Sequence, residues 1–250
     1  TWQNQATGDS YLYLPGIASN YASVPDAADL DGFGDFTVQL DDVTLPDWTP
    51  AGNDTLMGKW DGAPNSSFFL YVQSNGTLRL HISGDGTANE ALTSSSATSI
   101  TDGTSASIRV LRSGTDVKFY KDTGSGFSQV GTTQTSTQGT MYSGAAALQV
   151  GVYASVNQPL LGKIGRARVW SDATQTTNVL DINFANAAKD STSFTATSGQ
   201  TVTINSTAIN TPAAIQVATG SDARQVTGSV QPVLLKHTTA EGNYLHLPGV

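Results

Sequence analysis

The chain carries two glutamates in 250 residues, Glu90 and Glu241, and neither has a second acid at strand spacing. Glycoside hydrolysis needs two carboxylates facing each other across the scissile bond, one of them with a raised pKa. That chemistry finds no pair here. Consecutive acids such as Asp41 and Asp42 fall on opposite faces of a strand and cannot converge. The three histidines, His81, His237 and His246, have no partner at metal-ligand or general-base spacing and read as ordinary strand residues. A Gly-x-Ser-x-Gly elbow is absent, and with no cysteine the chain has neither disulfides nor thiolate metal sites. The expectation is a protein that is not an enzyme.

What remains is aromatic. The apolar face of a pyranose needs an exposed ring, and its hydroxyls need acids or amides nearby. Trp48, with Asp47 inside the Pro46 to Pro50 loop, meets both conditions on sequence, and the flanking prolines argue against a central strand there. Trp60 with Asp61, and Tyr153 with Asn157 and Gln158, are further candidates at strand ends. Trp60 has a competing reading as core, because Leu56 and Gly58 lead into it at strand period. Trp170, beside Val169 on a strong strand, reads as core.

Four carboxylates, Asp26, Asp29, Asp31 and Asp35, crowd a Gly-containing stretch that begins at Pro25. Hard cations take several carboxylate and carbonyl oxygens on such loops, so calcium is the one metal the sequence leaves room for, and no cofactor is required. The bidentate Glu of an EF-hand loop is missing, and Asp and Gly equally serve a wide solvated turn, which is the preferred reading.

The net charge is −8 and charged residues make up 13% of the chain. A polyanion is bound by clustered Lys and Arg that displace its counterions, and here the basic residues are scattered, so nucleic acid is excluded as a partner. Arg166 and Arg168 read as two solvated rungs of a strand. No apolar run is long enough to span a bilayer, and no secretory signal opens the sequence.

The elements that position these residues are strands. Apolar and polar residues alternate through Leu78 to Ile82, Ile108 to Arg112, Val117 to Tyr120 and Ile164 to Trp170. Asn75-Gly76, Asp85-Gly86 and Ser113-Gly114 are hairpin signals between such runs. A single short helical turn is expected over Ala185 to Lys189, and the polar tracts Ser94 to Ser99 and Gly131 to Thr140 are expected to be rim loops. The fold class is all-β.

Tyr11-Leu12-Tyr13-Leu14-Pro15-Gly16-Ile17 returns as Tyr244-Leu245-His246-Leu247-Pro248-Gly249-Val250. Self-similarity at a fixed offset marks a tandem unit. Residues 1–10 are then a lead-in, 11–217 one β-sandwich, and 218–250 a linker with the first strand of the next repeat. That strand, lacking its own sheet, is expected to pair on an edge of this sandwich or of a neighbouring copy.

The strand series Tyr21 to Asp26, Gly34 to Leu40, Leu56 to Asp61, Phe69 to Val72 and Gly162 to Trp170 resembles the laminin-G-like branch of the concanavalin A-like lectin/glucanase superfamily. The likeness covers roughly 11–185. It departs in the middle, where Thr104 to Ser107 replaces a Trp-His-His strand start and Tyr120 to Thr123 a Tyr-Val-Asn-Gly hairpin. The superfamily's Glu-x-Asp-x-x-Glu glucanase strand is absent. Ser193 to Ile204 and the repeated Tyr-Leu-x-Leu-Pro-Gly are similar to tandem modules of phage and prophage structural proteins. The resemblance implies a jelly-roll sandwich of two curved antiparallel sheets, with calcium often bound at a rim. It also implies a non-catalytic, lectin-like role on a virion or extracellular surface, with a surface polysaccharide and other copies of the protein as partners. The alternatives are a purely architectural sandwich and a bacterial surface adhesion module.

Overall fold

The computed structural model describes residues 10–206 and the backbone of 214–217, 233–235 and 244–246. In chain order the strands are β1 (Ser10–Pro15), β2 (Tyr21–Val24), β3 (Phe36–Thr44), β4 (Asp54–Trp60), β5 (Ser66–Val72), β6 (Thr77–Ile82), β7 (Glu90–Ala97), β8 (Ser105–Ser113), β9 (Asp116–Asp122) and β10 (Ser128–Gln129). They continue as β11 (Gln134–Thr135), β12 (Leu148–Val150), β13 (Leu161–Ile164), β14 (Arg166–Trp170), β15 (Asn178–Asn183), β16 (Ser193–Thr195), β17 (Thr201–Asn205), β18 (Ala214–Val217), β19 (Val233–Leu235) and β20 (Tyr244–His246). Among the described residues there is no α-helix, only the 3-10 turns Ala28–Leu30 and Phe184–Asn186, the second close to the expected helical turn.

Two antiparallel sheets make an all-β jelly-roll sandwich. One runs β10-β9-β8-β3-β13-β1-β18, with β14 between β3 and β15 and with β11 on β9; the other runs β16-β17-β2-β12-β4-β5-β6-β7. Leu12, Val38 and Phe119 from the first sheet and Phe68, Leu70 and Leu80 from the second fill the space between them and are all buried. Asn75-Gly76 closes the β5–β6 hairpin with Gly76 at φ 76°, a left-handed value that favours glycine.

β6 shows the alternation of a half-buried strand: Leu78, Leu80 and Ile82 enter the core, while Arg79 and His81 stay partly exposed. β5 does not. All seven of its residues are buried, and only Phe68, Leu70 and Val72 belong to the central core. A strand apolar on both faces must be covered on both.

β4 carries a charge into the core. Lys59 pairs directly with Phe68 and Leu148, two core residues, and so shares their face of the sheet. Its side chain is fully buried, and its ammonium lies 2.7 Å from both Asp26 Oδ1 and Asp31 Oδ1 and donates to the Gly144 carbonyl. The stretch after β2 is thereby tied over the end of the core.

Several sequence expectations change. Most of the Ser94 to Ser99 tract is strand, within β7, because serine hydroxyls replace ladder bonds where the β6–β7 register shifts: Leu78 N donates to Ser94 Oγ at 3.0 Å, and Ser94 Oγ donates to the Ser96 carbonyl at 2.7 Å. The Gly131 to Thr140 tract is more than a rim loop, since it ties the edges of the two sheets together. Thr132 N reaches Ser95 Oγ at 2.7 Å, Ser136 Oγ and Thr137 N reach Glu90 at 2.6 and 2.9 Å, and the Arg112 guanidinium donates to the Gln138 and Gly139 carbonyls. The Ile164 to Trp170 run breaks at Gly165 into β13 and β14. Trp170 is buried but lies outside the central core, with the Arg168 guanidinium 5.0 Å from its ring. Arg166 and Arg168 are not free rungs but are paired with Asp181 and Asp41.

Ala214–Val217 is the edge strand beside β1, and the second copy of the repeated motif pairs through Tyr244–His246 with Val233–Leu235. The remainder of the lead-in and of the 218–250 segment lies outside the described residues.

Two expectations follow for stability. Asp26→Ala with Asp31→Ala strands a fully buried ammonium without a counter-charge and should cost about 3–5 kcal/mol in urea unfolding, more than Lys59→Met, which leaves two carboxylates able to reach water. The opposite ranking would show that the pair does not hold the loop. At the start of β4, burial pushes the Asp54 carboxyl up from 3.8 to about 6, against a hydrogen bond from the Leu161 amide and with help from the Asp47 charge. The native state therefore holds this proton more tightly than the unfolded chain. Its contribution is fully present below the ordinary value and is lost as pH rises through the interval up to about 6. Asp54→Asn should be more stable than the parent above pH ~6 and lose that advantage in acid; thermal melts across pH that run parallel for the two proteins would contradict this.

Candidate functional site

The face of the eight-stranded sheet turned away from the core carries a second cluster of rings: Trp60, Phe69 and Tyr71 are buried there, with Tyr153 packed against them. β4, β5 and β6 lie side by side with Gly58, Phe69 and His81 in one row and Thr55, Tyr71 and Arg79 in the next. Gly58 makes room for the Phe69 side chain, since a Cβ at that position would sit 2.4 Å from Phe69 Cβ. Phe69 is the hub. Its centroid lies 4.9 Å from Trp60 edge-on, and 5.2, 4.6 and 4.5 Å from the stacked rings of Tyr71, His81 and Tyr153.

Tyr153 arrives on the 151–160 loop, which folds back over β4. Ala154 N donates to the Trp60 carbonyl and Thr55 N to the Gln158 carbonyl, both at 3.0 Å, while Tyr153 and Asn157 pair across the turn. Ala154, Ser155 and Gln158 hold φ values of 47°, 62° and 47°, a region that side chains other than glycine rarely occupy. Local strain of this kind persists only where surrounding contacts over-determine it. Here Ser155 is clamped: its N–H donates to Gln149 Oε1 at 2.9 Å, and its hydroxyl accepts from Gln149 Nε2 at 3.0 Å and Tyr21 Oη at 3.1 Å.

The polar groups form a directed chain. His81 Nδ1 lies 3.0 Å from Asn89 Oδ1, which can only accept, so Nδ1 carries the hydrogen and Nε2 accepts from Tyr71 Oη at 3.2 Å. Burial lowers the His81 pKa, the Asn89 bond opposes this and the Arg79 charge adds to it; burial raises the Tyr71 pKa, Arg79 opposes and Tyr153 reinforces. At neutral pH both side chains are uncharged. Arg79 is the cation of the site.

The structure brings together part of what the sequence singled out. Trp60 and Tyr153 meet through Phe69, Asp61 is exposed next to Trp60, Asn157 is exposed on the loop and Gln158 is half-buried beneath it. Trp48 is a correction. It is 1% exposed and part of the central core, its N–H held by Asp102 Oδ1 at 2.7 Å and its indole N–H near the Thr104 carbonyl at 3.4 Å. The prolines keep its loop out of a strand, but the loop turns the ring inward. Asp47 is exposed and binds Thr49, its Oδ1 accepting from the backbone N–H at 2.7 Å and from Oγ1 at 2.9 Å.

The calcium reading is corrected as well. Asp26 and Asp31 hold the Lys59 ammonium, so a protein cation stands where a metal would, and Asp35 accepts from Gly114 N at 2.7 Å. Asp29 borders a separate polar cleft of about 380 Å³ with Thr177, Asn178, Asp181 and Gln200. Among the described residues no three acids or histidines converge on a point that could hold a metal.

Phe69, Tyr71, Arg79 and His81 were missed as site residues. The available signal was the apolar run of β5, too continuous for a strand covered on one side.

No family model matches the chain, and no curated protein matches it. Among solved structures the chain is similar to a native heptameric SAP-like pentraxin from Limulus polyphemus, at 15% identity over 66% of this chain and 77% of that one, with a TM-score of 0.47. It is also similar to the Ruminococcus gnavus IT-sialidase CBM40 bound to alpha2,3 sialyllactose, at 16% identity over 64% and 90% of the two chains, with a TM-score of 0.47. A third is mouse laminin alpha1 chain, domains LG4-5, at 16% identity over 65% and 41%, with a TM-score of 0.46.

Proposed function

We propose that this chain is a non-catalytic module that binds glycans through the outer face of the eight-stranded sheet, displayed on the surface of a phage or prophage virion. The observation that carries the reading is the ring cluster built on the face turned away from the core, under a strained loop, with Arg79, His81, Tyr153 and Asn157 left partly open beside it. A sandwich closes its core without such a cluster. Of the cluster's rings, Tyr153 and His81 stay partly exposed, and exposed rings with polar neighbours are what a sugar's apolar face and hydroxyls require.

The non-catalytic part of the reading rests on Glu90, whose carboxylate is fully engaged. Burial raises its pKa, but the hydroxyls of Ser136 and Thr137 and the amides of Thr137 and Gln138 together outweigh burial and hold it below the usual value. A carboxylate so bound serves the fold and is a poor general acid. The virion assignment is supported by the returning Tyr-Leu-x-Leu-Pro-Gly motif and the likeness of Ser193 to Ile204 to phage modules, and it makes other copies of this chain the natural neighbours. Among the described residues no helix is long and apolar enough to cross a membrane.

A glycan array followed by titration calorimetry of two variants tests the proposal. Tyr153→Ala should weaken the best-bound glycan by about 1–3 kcal/mol with a smaller effect on unfolding, because the ring is half-buried at the edge of the cluster. Trp48→Ala should do the reverse, removing about 3–5 kcal/mol of stability while any protein that remains folded binds normally. Binding that survives Tyr153→Ala, or reducing or unsaturated sugar ends released from the bound glycan, would defeat the reading.

A further inference from the structure

We infer that the occupant of the aromatic face carries a single anionic group, a carboxylate or sulfate on an otherwise neutral oligosaccharide, and that Arg79 binds it. The inference rests on the glycan reading above and adds the chemical class of the ligand.

Four of the five described arginines are spoken for. Arg109 donates to Gln39, Arg112 to two carbonyls, Arg166 to Asp181 and Arg168 to Asp41. Arg79 is different: among the described residues its guanidinium makes neither an ion pair nor a side-chain hydrogen bond, and its Nε is buried; Arg168 Nε is also unpartnered, but that guanidinium is held by Asp41 through Nη2. A buried donor on a charged group that stays unpaired is costly to the fold. Its position explains what it is for. Arg79 stands opposite Tyr71 on one side and Thr93 on the other, and His81 stands between Phe69 and Ala91. The small side chains Ala91 and Thr93 leave the face open toward β7, so a ligand lying on the partly exposed His81 and Tyr153 rings would reach the guanidinium from that side.

The same region concentrates the other unsatisfied groups. Seven buried side-chain polar atoms lack a partner among the described residues, and four belong here: Arg79 Nε, Thr55 Oγ1, Ser67 Oγ and Gln158 Oε1. Thr55 pairs with Tyr71, Ser67 precedes Phe69 by two residues on β5, and Gln158 receives Thr55 N through its carbonyl. Those buried atoms lie beneath the face rather than on it, so the groups a ligand reaches there are the half-exposed Arg79 guanidinium, the partly exposed His81 and Tyr153 rings and the exposed Asn157. His81 and Tyr71, both neutral, add no second cation. A polyanion is disfavoured, since one guanidinium faces a protein of net charge −8.

The test uses the whole chain and matched pairs of probes: sialyllactose, sulfated lactose and a galacturonate-capped oligosaccharide, each against its uncharged parent, with a heparin oligosaccharide as the polyanion. At least one acidic probe should bind about tenfold or more tighter than its parent, as a charge-assisted contact predicts, with the preference shrinking in added salt. Which pair shows it distinguishes carboxylate from sulfate. Arg79→Gln should erase the preference and Arg79→Lys retain part of it, with melting temperatures at or above that of the parent protein, because Gln removes an unpaired buried donor. Acidic and neutral probes binding equally, a preference that survives Arg79→Gln, or heparin binding most tightly would overturn the inference while leaving glycan binding at this face intact. No binding to any probe would overturn both.

Discussion

A fully buried ammonium sets the frame for everything else in this sandwich. Lys59 faces the core between Phe68 and Leu148, and its charge is tolerable there because Asp26 and Asp31 reach it at 2.7 Å. Side chains alternate along a strand, so a residue fixed on the inner face fixes its neighbours on the outer one. With Lys59 inside, Gly58 and Trp60 are outside. A slip of one residue in β4 would put Trp60 into the core and expose the lysine, at the cost of both ion pairs. The acids after β2 thus do their work on the far side of the sheet from the site, by holding the register of the strand that carries it.

Gly58 then lets Phe69 settle onto the sheet, and four rings gather around Phe69 within 5.2 Å. The loop over them keeps three left-handed residues in place through Gln149, Tyr21 and the carbonyl of Trp60. Each such residue costs on the order of 1–3 kcal/mol unless neighbouring contacts compensate. The arrangement spends strain on shaping a surface, and unsatisfied polar atoms collect beneath the same surface. Strain and unsatisfied polar atoms in one place are the features on which the glycan-binding proposal rests.

The fold class was legible because period-two alternation and Gly-containing turns depend on local chemistry; β6, β8 and β9 and their hairpins follow directly from it. The site was legible only in part. Trp60 and Tyr153 stood out as aromatics beside polar residues, but nothing local tells which way the Trp48 loop turns, and the ring went inward to the core. The four aspartates looked like a cation site because sequence shows carboxylates and not the lysine that meets two of them from a strand 28 residues beyond Asp31. Phe69, Tyr71, Arg79 and His81 come together only through the β4–β5–β6 register, a long-range property that a pattern of single strands does not contain.

Amide NMR of the isotope-labelled chain during titration with a singly acidic oligosaccharide such as sialyllactose reads the location of binding directly. Shift changes should concentrate at Gly58 to Trp60, Phe69 to Tyr71, Arg79 to His81 and the 151–158 loop. Changes confined to the Pro25 to Asp35 turn or to the cleft between Asp29 and Gln200, with the aromatic face unmoved, would contradict the account.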